Sequence, residues 1–568
     1  MKKHPIYTEK NDCQDCYKCL RQCPVKAIKF FDANASIIKE RCVYCGHCIE
    51  VCPVGAKKMR SEKQNLITAF TDGHKVIACL APTYISEFDD VSQAVLIRAL
   101  KELGFVMVSE TALGAAVVAS ECANWLEAQK NGVYISSCCP TVVDYIHKYY
   151  PARKDTLTPF LSPMQTHAKM LKEKYGSNYE IAFVGPCVSK KYEADQINGL
   201  TDYVMTFKEL RQWLDEEIVG WTSLMPAEDD VFKPTPAAKS NFFPVEGGMI
   251  ANMKSYVSND NLQYLSFSGM GHLKEIMDDI SANEINEKLF LELMACEGGC
   301  IKGRGTCSKK SIFLKNKKIR EQVSQVVDKI EEVDITVNVA APLAVKETDY
   351  TEGQLALALR SVGKYTLNDQ LNCEGCGYNS CRDFGRAILN GFAERAMCTT
   401  YMRRVGQGKA TALLKKIPSG VVIADKNLKI MDTNSRFIDI LGDDAMQLYE
   451  VTSTLAGADL RKLISYTKLF DSVLQSGEEM VEQDVMENGR YLRVTVVTIH
   501  PYEIVCGIVQ DMRDPEVNKE IVLDHTRKVI QQNMEVVQKI AFLLGENASY
   551  TESMLNSILE SHEKGETT

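Results

Sequence analysis

No apolar run in the 568 residues reaches the roughly 18 residues of a membrane span. The opening stretch MKKHPIYTEKNDC lacks the apolar core of a secretory signal, so the expectation is a cytoplasmic chain with reduced thiols and no membrane partner. A basic excess is missing as well. With 66 Lys and Arg against 75 Asp and Glu the net charge is −9, which argues against a nucleic-acid binder that works by phosphate neutralisation. Apolar content is not short: 45% hydrophobic and 25% charged residues is the balance of a folded, globular chain. The length points to three or more domains.

What the chain has is cysteine, 21 in all. Disulfides would be scattered, whereas these are clustered, and in a reduced compartment metal ligation is their leading use. Eight fall before residue 53 in two matching runs: Cys13-x2-Cys16-x2-Cys19-x3-Cys23-Pro24 and Cys42-x2-Cys45-x2-Cys48-x3-Cys52-Pro53. A C-x2-C-x2-C loop wraps three thiolates around one face of a cubane, and the fourth cysteine, before a proline, crosses to the other cluster. The expected sets are therefore Cys13, Cys16, Cys19 and Cys52 for one 4Fe–4S cluster, and Cys42, Cys45, Cys48 and Cys23 for the other. Two zinc ribbons are the alternative, but they do not need the x3-Cys-Pro ending.

Between residues 75 and 315 the pattern alternates short apolar strands (76–82, 104–110, 132–140, 180–187) with helical stretches (91–103, 115–128). That order predicts an α/β fold with a mainly parallel sheet, whose sites gather at strand carboxyl ends. Cys138, Cys139 and Cys187 sit at such ends.

Over roughly residues 8–310 the chain resembles the iron-only (FeFe) hydrogenases. The resemblance rests on Ser137-Cys138-Cys139-Pro140, Pro186-Cys187-Val188-Ser189-Lys190-Lys191-Tyr192-Glu193 and Met294-Ala295-Cys296-Glu297-Gly298-Gly299-Cys300. Ala81-Pro82-Thr83, Leu161-Ser162-Pro163-Met164-Gln165 and Gly247-Gly248 are lesser matches. It implies an H-cluster whose 4Fe–4S half is held by Cys139, Cys187, Cys296 and Cys300, with Cys300 bridging to a diiron half carrying carbonyl, cyanide and azadithiolate. It further implies that Lys190 donates to a cyanide ligand, that Cys138 relays the proton of the bridging amine, and that Pro82, Thr83, Ser189 and Met294 border the cofactor. Two adjacent buried small hydrophobes would be the bland reading of the cysteine pair.

The departures from that family bear on rate. Where fast hydrogenases carry a glutamate-lined proton path, the matching positions are Cys122 and Trp125, with Glu121 nearby. Gly185 replaces the usual methionine, Met164 a frequent glutamine, Gly303-Arg304-Gly305 a three-glycine turn, and Thr141-Val142-Val143 lacks the usual aromatic. These changes predict slow turnover.

Segment 331–350 carries no cysteine and reads as a linker. Next, Cys373-x2-Cys376-Gly377-x4-Cys381-x16-Cys398 resembles the small 4Fe–4S domain of corrinoid iron–sulfur proteins, with zinc the alternative. From residue 408 a helix–strand–turn–strand–helix pattern and two later strands resemble a PAS domain, with Asp425 and Asn427 at a hairpin, Asn434 before a helix and Asp511 closing the last strand. His500 could bind haem, but a lone histidine at a strand end is usually surface. Residues 516–562 read as a helix with Val522, Val529, Val536, Leu543 and Tyr550 at d and Thr526, Asn533, Ile540, Asn547 and Met554 at a. Asparagine at a suits a parallel dimer; packing on its own domain is the alternative. His525 lies on this helix.

The expectation is a multidomain α+β chain: a two-cluster ferredoxin-like module (1–65), an α/β H-cluster domain (70–330), a further 4Fe–4S domain (351–405), a PAS domain (408–515) and a C-terminal coiled-coil helix (516–562). It reads as a sensory hydrogenase running 2H⁺ + 2e⁻ ⇌ H₂ slowly. Its cofactors would be three accessory 4Fe–4S clusters and an H-cluster. Expected partners are H₂ and protons, hydrogenase maturation proteins, a ferredoxin, a second copy, and a kinase or phosphatase. The alternatives are a metabolic ferredoxin-linked hydrogenase and a non-catalytic iron–sulfur assembly factor.

Overall fold

The computed structural model describes residues 4–512, apart from 198, 235–236, 257–260, 324–325, 327, 329, 338–342 and 453; beyond 512 it describes residues 531 and 534. The helix read over 516–562, with its heptads and His525, therefore falls almost wholly outside the described residues. The chain forms two compact units, Met1–Tyr401 and Met402–Thr568. No described helix is long and apolar enough to cross a membrane.

At the start of the first unit, the repeated cysteine spacing yields a repeated backbone. Asp15 and Tyr17 in the first loop have φ of 50° and 56°, and the equivalent Tyr44 and Gly46 in the second have 58° and 75°. Left-handed residues alternating with right-handed ones turn successive amides toward one centre, a concavity suited to an anion. Each loop ends in a one-turn helix, Lys18–Arg21 or His47–Glu50. Two antiparallel strand pairs, Ile6–Thr8 with Lys57–Met59 and Ile28–Phe31 with Asn34–Ile37, close the module.

The α/β region contains two parallel sheets where the strand pattern alone suggests one. The four-stranded sheet runs Met107–Glu110, Lys75–Leu80, Tyr179–Gly185, Tyr203–Thr206; the three-stranded sheet runs Gln263–Ser268, Lys288–Met294, Gly132–Ile135. The helix Ala112–Glu127 explains the difference. It is buried on nearly every side and packs with Phe160, Met249 and Phe290 of the second lobe. Crossover distance in sequence does not record this, because strand signals are the same for one sheet or two. Gly114, on that helix, would bring a Cβ to 2.4 Å from the Pro163 carbonyl oxygen. Gly114→Ala is expected to cost about 1–3 kcal/mol by overpacking, read as a lower urea midpoint.

Segment 331–350 is no free linker. Leu161 N–H donates to the Ile335 carbonyl at 2.9 Å, Val337 N–H to that of Pro159 at 3.0 Å and Val345 N–H to that of Lys148 at 2.9 Å, while Ile335 is buried. Apolar residues alternating among charges gave this strap too little signal to be seen. The following cysteine-bearing region, with helices Glu352–Arg360 and Cys381–Leu389, docks on the N-terminal module: Phe30 N–H donates to the Phe392 carbonyl at 3.0 Å and Asp32 N–H to Glu394 at 2.7 Å.

The second unit is a five-stranded antiparallel sheet in the order Ile430–Thr433, Gly420–Asp425, Ile504–Asp511, Arg490–His500, Met480–Glu487. The helices Ser435–Leu441 and Thr467–Ser476 bury Phe437 and Phe470 against it. Asn434 Oδ1 accepts from Val421 N–H and caps the first of these helices through Phe437 N–H, at 2.8 and 3.0 Å. Asp425 Oδ1 accepts from Asn427 and Lys429 N–H. His500 is exposed beside Glu503.

Candidate active site and cluster-binding cysteines

Two strands from each parallel sheet end at one place. Lys75–Leu80 leads into Ala81-Pro82-Thr83, Tyr179–Gly185 into Pro186 and Cys187, Gly132–Ile135 into Ser136 through Cys139, and Lys288–Met294 into the loop of Cys296 and Cys300. They enclose a cavity of about 110 Å³ with an almost wholly apolar lining that includes Pro82, Phe183, Met249 and Met294. Strand carboxyl ends leave backbone amides and loop side chains free to meet a ligand, which is why sites gather there.

Four thiols converge on one side of this cavity. Cys139 is the N-cap of the helix Pro140–Tyr149, and Cys187 lies just before the helix Ser189–Gln196 with its Sγ 3.1 Å from Ser189 Oγ. The turn Glu297-Gly298-Gly299 folds back so that Cys296 and Cys300 face together. Gly299 has φ of 94°, and a Cβ there would meet the Pro244 carbonyl oxygen at 2.5 Å. Burial pushes the Cys300 thiol well up, and Cys187, Cys139 and Cys296 add to it.

Cys138 also lines the cavity, beside this group of four. Burial pushes its thiol up to about 12, Ser136 and Lys190 pull against that, and its Sγ lies 3.8 Å from Met249 Sδ. Lys190 Nζ donates to Glu193 at 2.7 Å and to the Cys138 carbonyl at 3.3 Å. Burial alone would lower the Lys190 amine, but the Glu193 carboxylate overrides it and holds the amine above its ordinary value, hence charged. Thr83 and Thr111 border the same space with buried hydroxyls that have no hydrogen-bond partner. Four thiols on one side, with a lysine and two unsatisfied hydroxyls around an apolar remainder, fit a cubane joined to a small unit bearing acceptor ligands.

Sequence reasoning missed Glu292. It is buried at the cavity, accepts from Met249 and Ile250 N–H at 3.3 and 3.1 Å, and burial pushes its carboxyl up to about 7. The available signal was a glutamate inside the apolar strand KLFLELM, where parallel-sheet strands are normally continuous hydrophobics. Glu193 lay inside a quoted signature without a role. The departures find steric reasons. At Gly185 a Cβ would lie 2.5 Å from the Phe183 ring, which occupies the space of a longer side chain. Cys122 is fully buried, and Trp125 packs edge-on against Tyr134 and Phe160, so neither position offers an ionisable oxygen.

The other cysteines gather as three more groups. Burial pushes Cys19 up to about 11, with Cys13, Cys16 and Cys52 the thiols acting on it. Burial likewise raises Cys48, with Cys45, Cys42 and Cys23 acting on it. The structure thus brings Cys52 to the first loop and Cys23 to the second. Cys376 is raised by burial and by Cys398 and Cys381, while Cys373 lies beside Gly375 and Thr399. Groups also feel one another: Cys45 acts on Cys296, and both Cys376 and Cys23 act on Tyr378.

Residues 74–304 match the family described as iron only hydrogenase large subunit, C-terminal domain, residues 12–56 the 4Fe-4S dicluster domain, and residues 369–400 a putative Fe-S cluster family. The last match favours iron–sulfur over zinc at Cys373–Cys398. The chain is 28% identical to iron hydrogenase 1 of Clostridium pasteurianum over 53% of its own length and 64% of that protein's. It is 26% identical to the cytosolic Fe-S cluster assembly factor NAR1 of Meyerozyma guilliermondii over 28% of this chain and 34% of that one. It therefore spans less than two thirds of either relative. A solved variant of FeFe-hydrogenase HydA1 from Chlamydomonas reinhardtii aligns with 50% of this chain and 91% of that one, at 17% identity and a TM-score of 0.37.

Proposed function

We propose, from the premise that this chain carries the iron-only hydrogenase large-subunit domain behind a 4Fe-4S dicluster domain, that it is a sensory hydrogenase converting 2H⁺ + 2e⁻ and H₂ slowly. The observation that carries the reading is the meeting of Cys139, Cys187 and Cys300 with Cys138 and Lys190 around one apolar cavity, with Cys296 acting on Cys300 from behind its lining. Cys13, Cys16, Cys19 and Cys52 hold one accessory cluster, Cys42, Cys45, Cys48 and Cys23 a second, and Cys373, Cys376, Cys381 and Cys398 a third. When bound, a diiron unit attached through Cys300 supplies the centre at which H₂ is formed or split. Around it, Pro82, Phe183, Met249 and Met294 exclude water, Lys190 and the free hydroxyls of Thr83 and Thr111 orient acceptor ligands, and Cys138 moves the proton.

Glu292 is the acidic group next along from Cys138, on which its charge acts. Beyond it, Glu246 acts on Glu292, accepts from Ser268 Oγ at 2.5 Å and borders an open cleft. Glu292→Gln is expected to slow turnover about 10²-fold and to flatten its dependence on pH near 7. A stability effect accompanies this. The native carboxyl keeps its proton up to about pH 7, whereas the unfolded one loses it near its ordinary 4.5. The native state therefore binds more protons in that window, and stability falls as pH rises through it. Urea midpoints at pH 5 and pH 8 should differ more for the wild type than for Glu292→Gln.

The sensory part of the reading rests on the missing carboxylates at Cys122 and Trp125 and on the 420–511 unit. Its strand order, second–first–fifth–fourth–third, with helices on one face, is the arrangement expected of a PAS domain. Cys45 acts on Cys296, and Cys376 and Cys23 both act on Tyr378, so clusters held by these cysteines would supply a chain of redox centres, whose state the PAS unit would report to a kinase or phosphatase. Maturation proteins, a ferredoxin and a second copy are the other proposed partners, in the cytoplasm. Loading the protein with maturation proteins and recording its infrared spectrum is the test. Carbonyl and cyanide bands with turnover far below a fermentative hydrogenase are expected. Bands with equal turnover would indicate a metabolic enzyme, and iron without bands an assembly factor.

A further inference from the structure

One side chain of the turn after Cys300 leaves the hydrogenase domain and enters the ferredoxin-like module. In Gly303-Arg304-Gly305 the outer positions have no room for a side chain: a Cβ at 303 would lie 2.5 Å from the Pro186 carbonyl oxygen, and one at 305 would lie 2.6 Å from Thr206 Cγ2. Position 304 faces the other way. Arg304 Cβ and Cγ come within 3.2 Å of where a Cβ on Gly46 would stand, in the turn Cys45-Gly46-His47-Cys48. Its Nη1 pairs with Glu50, and its Nη2 lies 3.1 Å from His47 Nδ1. The Arg304 side chain is 19% exposed and that of Glu50 53%, so water screens the carboxylate more than the guanidinium. Arg304 follows Cys300 by four positions and stands against the turn that carries Cys45 and Cys48, so its charge lies beside cysteines of both domains.

We propose that Arg304 is an electrostatic bridge between two clusters, the one held by Cys23, Cys42, Cys45 and Cys48 and the cubane held by Cys139, Cys187, Cys296 and Cys300, raising the reduction potential of both. The proposal rests on the ligand sets assigned above. A 4Fe–4S cluster with four thiolates gains one negative charge when it accepts one electron, so a fixed cation beside it favours the reduced form. A guanidinium suits this role because it does not deprotonate. Glu50 opposes it, so the carboxylate subtracts from what Arg304 adds to the field at the clusters. Arg304 is thus a positioning and potential-setting residue that touches neither substrate nor the reacting atoms.

The test uses the full chain with its 4Fe–4S clusters reconstituted and the diiron unit left out, followed by redox titration monitored by electron paramagnetic resonance. Arg304→Gln should lower the potentials of these two clusters by about tenfold in the reduction equilibrium, which is about 59 mV for one electron. Arg304→Lys should restore most of the shift. Glu50→Gln, which removes the opposing charge, should move the potentials upward. Opposite signs for the two neutral variants are the expected result, because a merely structural contact would not produce them. Potentials that stay put, or move the same way in both, overturn the proposal. If Arg304→Gln fails to retain iron, Arg304→Met is compared with Arg304→Lys in its place: lower potentials in the methionine variant alone support the bridge, and equal potentials overturn it. Iron content and the signals of the wild type test the ligand sets, whereas only the potentials test Arg304.

Discussion

Cys138→Ala is expected to lower hydrogen turnover by about 10²- to 10⁴-fold, the range lost when a positioned proton donor is removed, while iron content and the carbonyl and cyanide bands stay as in the wild type. The thiol borders the cavity but stands apart from the four cysteines that converge there, so its loss takes no ligand away. Burial keeps it protonated in the ordinary pH range, and the Lys190 ammonium tempers that rise. It is therefore a donor that a nearby basic group can draw on and recharge. Cys138→Ser should be nearly as slow, because a hydroxyl is a far weaker acid than a thiol. Hydrogen evolution from a chemical reductant, measured beside the infrared spectrum, checks this. Turnover within threefold of the wild type would remove Cys138 from the proton route.

Lys190→Met should have two separable consequences. The first is thermodynamic. Lys190 and Glu193 pair at 2.7 Å with side chains only 10% and 13% exposed, and removing one partner of a buried pair leaves the other charge uncompensated. About 3–5 kcal/mol of stability is expected to go, read from urea unfolding. The second is chemical: the cavity loses the Lys190 ammonium, and with it the charge-assisted hydrogen bond that would anchor an anionic ligand. The double variant Lys190→Met, Glu193→Gln separates the two. It should recover most of the stability, because neither charge remains, and still fail to retain the cyanide bands. Bands of wild-type intensity in the double variant would show that Lys190 serves only the fold.

Much of this was legible along the chain because the chemistry is local. Three cysteines in C-x2-C-x2-C wrap one centre with seven consecutive residues, and the matching left-handed positions at Asp15 and Tyr44, and at Tyr17 and Gly46, follow from the same constraint. The strand runs ending at Cys138, Cys139 and Cys187 were readable for a similar reason, since an apolar run followed by a loop is a local pattern. Glu292 and Glu193 were harder to see. A glutamate in an apolar strand and another at the end of a lysine-rich signature acquire roles only when a second lobe closes over them.

The sequence by itself determined the number of cysteine groups and the motifs by which the central domain resembles the iron-only hydrogenases, because ligand spacing and strand ends are written within a few residues of one another. The tertiary structure decided which groups adjoin, that two sheets rather than one frame the cavity, that residues 333–337 strap the domain, and that Arg304 reaches Glu50 across 254 positions. Those relations depend on how long crossovers fold back and on which buried surfaces pack, and neither is encoded at short range. The cysteine spacing gives the groups; the packing of the helix Ala112–Glu127 with the second lobe and of Arg304 against the turn of Cys45 and Cys48 decides which of them stand near one another.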